Sequence, residues 1–178
     1  MGDEPREVEL DDDERRMLTR WAVACAERAL PVFEAVAPAD GRPREAVGQA
    51  RAYALGERRT RRLRTAAWAA TAAGREVGDP AAEAAARAAV AAAGMPYIHA
   101  IATPHQVRHV HGPALSLALA REAAAGGDPA VGEEEVRWAV DRAPAGLREV
   151  VRRFPAGDLG GRTRQSLLRR LVDAGLRD

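Results

Sequence analysis

The sequence predicts an all-α fold: a single-domain bundle of seven to eight helices with a central buried helical hairpin. Three observations carry that prediction. Alanine fills 41 of the 178 positions and aromatics make up only 4%, a composition that favours helix over sheet. Apolar residues return at three- and four-residue steps in one segment after another, and no run of four to eight residues combines persuasive alternation with β-branched enrichment. Between Ala88 and Ala120 the only formal charge is Arg108, so the middle of the chain belongs inside the bundle.

Residues 1–10 are expected to form a flexible acidic N-terminus and residues 11–178 one helical domain. The first helix begins near Asp11 to Asp13, whose carboxylates accept bonds from the unpaired first amides and suit the positive helix end. Leu18, Trp21, Ala22, Cys25, Ala29, Val32, Phe33 and Val36 form its apolar stripe. Pro31 lies within that stripe, lacks an amide hydrogen and crowds the carbonyl four residues back, which predicts a kink near Ala29 or two helices in tandem. The turn at 38–43 feeds a second helix, with Asp40 or Gly41 at its cap and Pro43 in its first turn. That helix turns Ala46, Val47, Ala50 and Tyr53 or Ala54 inward and ends by Gly56. The third helix covers about residues 60–77 and is halted by Gly78.

Asp79-Pro80 is the strongest start signal in the chain, a capping carboxylate before a proline at the first helical position. It opens a fourth helix over 80–93 that is nearly pure alanine, with a bent continuation expected past Gly94-Met95-Pro96 to Ile101. Thr103-Pro104 opens the fifth helix, which reaches Ala125 and is expected to bend at Pro113. Val107, Val110, Ala114, Leu115, Leu117 and Leu119 make it apolar on nearly all sides. Three shorter helices follow, at about 133–142, 144–154 and 163–176.

Every one of the 27 cations is an arginine, against 26 acids, for a net charge of +1. A near-neutral chain is not one whose whole surface is built for nucleic acid. The lone Cys25 excludes a disulfide framework and a cysteine zinc site. Residues 1–14 carry eight acids against one arginine, the reverse of a secretory or transit leader, so a cytoplasmic protein is expected. The uncharged window 88–107 has the length of a membrane span, but Gly94, Pro96, His99 and Pro104 interrupt it, and no membrane association is expected.

The four histidines, His99, His105, His109 and His111, fall within thirteen residues. His105 and His109 are four apart and so share a helix face, the spacing by which a helix offers two nitrogens to one metal. No carboxylate or thiol between Arg87 and Glu122 completes a tetrahedral set, so neither a metal nor a cofactor is expected; if there is a metal, His105 and His109 hold it. A central Arg108 needs a partner from another helix, because a buried unpaired charge is costly. Otherwise Tyr97, His99, His105, Arg108, His109 and His111 line a polar pocket for an acidic ligand or partner side chain. Arg58, Arg59, Arg61, Arg62 and Arg64 form the densest basic run, and Arg162, Arg164, Arg169 and Arg170 a second one. Few aromatics interleave with them, so a solvated face or a docking surface for an acidic protein fits better than a nucleic-acid grip. There is no glycine-rich phosphate loop with its lysine and no nucleophile-elbow serine, and Cys25 sits on an apolar stripe, so no catalytic residue is assigned.

The stretch 18–57, LTRWAVACAERALPVFEAVAPADGRPREAVGQARAYALGE, resembles the Imm-5-like family, described as immunity proteins of bacterial polymorphic toxin systems. The Trp-Ala…Cys-Ala-Glu-Arg start, the Leu-Pro-x-Phe-Glu step and the Asp-x-Arg-Pro-Arg-x-Ala turn carry the resemblance, and Thr103 to His109 extends it. The resemblance implies a small cytoplasmic protein that neutralises a toxin by binding it, without catalysis. On the turn motif, Glu34, Asp40, Arg42 and Arg44 would tie the first helix to the second, or Arg42 and Arg44 would face the partner. The expected partner surface is then Arg42, Arg44, Arg58, Arg59, Arg61 and Arg62. The alternatives are a small-molecule or metal site, possibly enzymatic, on the histidines and Arg108, or nucleic-acid binding through the arginine patch.

Overall fold

Alanine stripes and capped starts divide the chain into eight α-helices in the computed structural model, which describes residues 6–156 and 160–178. They are α1 Asp12–Val36, α2 Arg42–Ala54, α3 Arg61–Glu76, α4 Pro80–Gly94, α5 Pro104–Ala124, α6 Pro129–Asp141, α7 Ala145–Arg153 and α8 Arg164–Arg177. The chain is an all-α single-domain bundle. Asp11 caps α1 in a reciprocal box, accepting from the Glu14 amide at 2.7 Å while the Glu14 carboxylate accepts from the Asp11 amide at 3.2 Å. Asp79 caps α4 through the Ala82 amide at 2.8 Å. Gly78, at φ +69°, makes the left-handed turn that separates α3 from that cap.

The hairpin of α4 and α5 is the axis. Helix α4 packs against α1, α2, α3 and α5, and α5 packs against α1, α4, α6 and α8. Nine alanines of α4 are buried, from Ala81 to Ala93. Their methyl groups let neighbouring backbones come near: a Cβ placed on Gly74 of α3 would lie 3.2 Å from the Ala86 Cβ, and one on Gly112 of α5 would lie 3.3 Å from the Ala91 Cβ. Larger side chains fill the spaces further out, with Leu18, Phe33, Tyr53, Leu63 and Leu117 all but fully enclosed.

Helix α1 is one 25-residue element that runs through Pro31, not two helices in tandem, and α5 continues through Pro113. Three expectations need correction. The bent extension of α4 is instead a short 3₁₀ turn, Met95–Tyr97, followed by extended chain. Helix α6 starts four residues earlier than expected because Asp128 caps it through the Ala130 amide, ahead of Pro129. Residues 6–10 are packed, not frayed. The Val8 amide donates to the Ala100 carbonyl at 3.0 Å and the Ala102 amide to the Arg6 carbonyl at 2.8 Å, an antiparallel bridge between Glu7 and Ile101. Val8 and Leu10 are buried while Glu7 and Glu9 face solvent. Residues 1–5 of the expected flexible segment lie outside the described residues.

The tight α3–α4 approach sets a test. Leucine matches alanine closely in helix propensity, so Ala86→Leu changes little except volume where Gly74 leaves none to spare. The substitution is expected to lower unfolding free energy by about 1–3 kcal/mol, read as a lower urea midpoint at unchanged slope.

Candidate functional site

Some arginines are committed to acids of the bundle, and a run at the start of α3 is not. On α6, Glu135 is buried and receives Arg28 of α1 through Nε and through Nη2 at 3.1 Å, with Arg121 of α5 at 3.3 Å. On α5, buried Glu122 accepts from Arg164 of α8 at 2.8–3.0 Å, and Arg164 also reaches Glu133. Arginine suits these places because one planar fork satisfies several acceptors at once. Arg44 donates to Glu34 at 2.7 and 2.8 Å, tying α2 to α1, and Arg42 bridges Asp40 and Glu76 at 2.6 Å each. Both are committed to intramolecular pairs.

The run before and along α3 behaves otherwise. Arg58, Arg61 and Arg62 are exposed and make no ion pair with any described residue. Arg59 donates to the Pro96 carbonyl at 3.2 Å, and Arg64 lies over the Tyr97 ring at 4.9 Å, whose hydroxyl donates to the Thr60 carbonyl. Arg59, Thr60, Arg61, Arg64 and Tyr97 line a cleft of about 450 Å³. Arg59 also lines a neighbouring cleft of about 460 Å³ with Arg15, Arg16, Arg58, Tyr53 and Asp12, while Arg61 continues into a third beside Arg62 and Glu45. The result is one cationic surface across the start of α3. Of the acidic N-terminal segment, Asp12 reaches its edge, accepting from Tyr53 at 2.8 Å and pairing with Arg16 at 3.0 Å, and these contacts hold its carboxyl below the usual range. Glu14 turns away to Arg153 of α7.

Trp68 of α3 completes this face and was not among the expected site residues. It is 71% exposed, one turn after Arg64 and two after Arg61, and Arg75 lies two turns further on. The sequence held the signal: Leu63, Ala66, Ala70 and Ala73 are the buried stripe of α3, and Trp68 lies off it.

The candidate pocket residues separate into distinct surroundings. Tyr97 belongs to the arginine clefts. His105 and His109 are exposed at the start of α5 with their Nε2 atoms 3.2 Å apart. His99 has its amide bound to the Gln106 side chain at 3.1 Å. Burial, then the nearby His105 and His99, hold the His109 imidazole below its ordinary value. Arg108 is exposed and not enclosed as a central position implied, because it lies on the outer face of α5, whose inner face there buries Gln106, Val107 and Val110; its charge is felt by Arg169 of α8. His111 points the other way. It is fully buried, with Nε2 3.0 Å from Asp173 Oδ1 on α8, and Asp173 is gripped by Arg177 at 2.9 Å. Arg177 reaches on toward the Val151 and Phe154 carbonyls at the end of α7, so this network holds α5, α7 and α8 together. Cys25 is buried, and burial, reinforced by Glu135, pushes its thiol far up, leaving it inert. Among the described residues no group of three or more histidine, cysteine or acidic side chains converges as a metal site.

A family model described as Imm-5 like putative immunity protein matches residues 9–146, most of the chain. The chain belongs to that family. No curated protein and no solved structure matches it. In this Imm-5-like chain the matched span takes in α1 to α6, hence the whole arginine face with Trp68 and the His105–His109 pair, whereas Asp173 and Arg177 lie beyond it. No helix of the described residues is long and apolar enough to cross a membrane.

Asp173 gives a pH test. Burial raises its carboxyl, but His111 and Arg177 outweigh burial and leave it below the usual value. A carboxyl titrating lower when folded than when unfolded contributes stability that is complete above about pH 4 and lost as pH falls toward the folded value. Asp173→Asn is therefore expected to lower the melting temperature at neutral pH and to flatten its decline below pH 4, measured by thermal melts across a pH series.

Proposed function

We propose that this chain is a non-catalytic immunity protein that neutralises a toxin by occluding it, and that the toxin docks on the arginine face of α3. The observation that carries this reading is an exposed Trp68 on the same face of α3 as Arg61 and Arg64, next along the chain to the exposed Arg58, Arg61 and Arg62, which make no ion pair with a described residue. Tryptophan and arginine are the side chains most often found to dominate binding energy at protein interfaces. A solvated tryptophan contributes nothing to the core it stands outside, and unpaired arginines repel one another until an acidic surface meets them. The family description supports a protein partner, and the charge of the face supports an acidic one. Arg42 and Arg44, already paired with acids of the chain, belong to the framework that holds α1, α2 and the end of α3. Arg59 joins the contact with Arg58, Arg61 and Arg62, and Arg64 and Tyr97 extend it.

The test is complex formation with the toxin encoded in the same locus. Trp68→Ala and the double charge reversal of Arg61 and Arg62 to Glu are each expected to weaken the complex about tenfold or more. Unfolding free energy should stay within about 0.5 kcal/mol of the parent, since these side chains are exposed. Calorimetric titration and urea melts check the two together. A wild-type chain that forms no complex, or variants that bind as the wild type does, would overturn the reading.

A further inference from the structure

The start of α5 carries a second arrangement, independent of the arginine face. We propose that His105 and His109 form a two-imidazole chelate for a divalent transition-metal ion, Cu²⁺, Ni²⁺ or Zn²⁺, with water on the remaining positions. Residues four apart on a helix project from one face, one above the other, and here both rings are exposed and turned toward each other, with Nε2 atoms 3.2 Å apart, centroids 4.8 Å apart and planes 89° apart. Two imidazole nitrogens bound about 2.0–2.1 Å from one metal at tetrahedral or right angles stand about 2.9–3.4 Å from each other. The observed separation falls within that span, so the backbone already sets the ligand spacing.

Without a metal, that contact accommodates one proton shared between two acceptor nitrogens. A second would set two cations against each other at hydrogen-bond distance. An ion that accepts a lone pair from each ring replaces the shared proton. The neutral imidazole is the ligating form, so binding is expected to strengthen as pH rises. The site stays two-pronged. No third ligand converges among the described residues, and no carboxylate or thiol lies between Arg87 and Glu122. An open pair of imidazoles imposes no tetrahedral selection, so its preference follows the intrinsic order, Cu²⁺ over Ni²⁺ over Zn²⁺.

The test is calorimetric titration of the untagged chain with Cu²⁺, Ni²⁺ and Zn²⁺, each alone. One ion per chain is expected at the tightest site, in that order of affinity. His105→Ala and His109→Ala should each weaken it about tenfold or more, because removing one prong forfeits the intramolecular second contact. His105→Gln and His109→Gln, which keep a polar side chain of similar reach, should do the same, and circular dichroism confirms that all four variants keep the helical fold. In amide NMR spectra, substoichiometric Cu²⁺ should broaden first the signals within a turn or two of residues 105–109. Wild-type affinity in either single variant, or broadening centred on the acidic residues before α1, would overturn the site.

Discussion

The methyl-only surface of α4 sets how near the other helices can come, and the rest of the structure depends on that spacing. An alanine buries little apolar area, so each contributes little transfer free energy at about 25 cal/mol per Å². What it provides is proximity. With Gly74 and Gly112 facing Ala86 and Ala91, α3 and α5 lie against α4 almost backbone to backbone, and dispersion contacts accumulate along whole turns. Helices held this near leave only peripheral gaps, which Phe33, Tyr53, Leu63 and Leu117 fill.

An alanine axis also decides where charge can go. The α5–α6–α8 side encloses Glu122, Glu135 and Asp173, each within 8% of full burial, and each is met by arginine forks from another helix or from the next turn. Removing a fork would leave an uncompensated buried carboxylate, which costs several times the net worth of the pair. Other arginines satisfy helix ends: Arg16 and Arg20 donate to the last carbonyls of α2, and Arg148 to carbonyls at the ends of α6 and α8. Among the described residues no buried acid lies on α3. Helix α3 packs chiefly on α2 and α4, and Arg61 and Arg62 face water.

Much of this was legible in the sequence, and the misses have physical reasons. The Asp79-Pro80 and Thr103-Pro104 starts placed the hairpin because a proline in the first helical turn is a local signal, to which Asp79, unlike Thr103, adds a side-chain cap. Pro31 and Pro113 lie inside α1 and α5 without ending them, because burial of the long stripes on either side outweighs one lost hydrogen bond. Glu7-Val8-Glu9-Leu10 alternates over four residues, too short to stand out, and its strand-like pairing exists only because α5 begins where Ile101 can meet it. Arg108 shows another limit: a helix that is buried on most sides in its second half can keep one face in water in its first, and Arg108 lies on that face between buried Val107 and Val110. His111 illustrates the limit of spacing. It is only two residues from His109, yet the helix turn sends one ring to solvent and the other to Asp173, sixty-two positions away in sequence.

The contrast between buried acids met by arginine forks and the open cationic run at the start of α3 bears on how a partner would be met. Arg58 to Arg64 raise the potential over one end of α3, and like charges held together there cost stability that the packed α4 axis can absorb. Arg59 and Arg64 are partly fixed by the Pro96 carbonyl and the Tyr97 ring, so less side-chain entropy remains to be lost when a carboxylate arrives. Arg61 and Arg62, with no such anchors, keep their freedom and their hydration. An acidic surface would therefore be drawn in by the whole patch, oriented by the fixed pair, and retained by whatever apolar contact covers Trp68. Attraction at a distance and retention at contact then reside in different side chains of the same helix, so salt would slow the encounter without proportionately speeding the release.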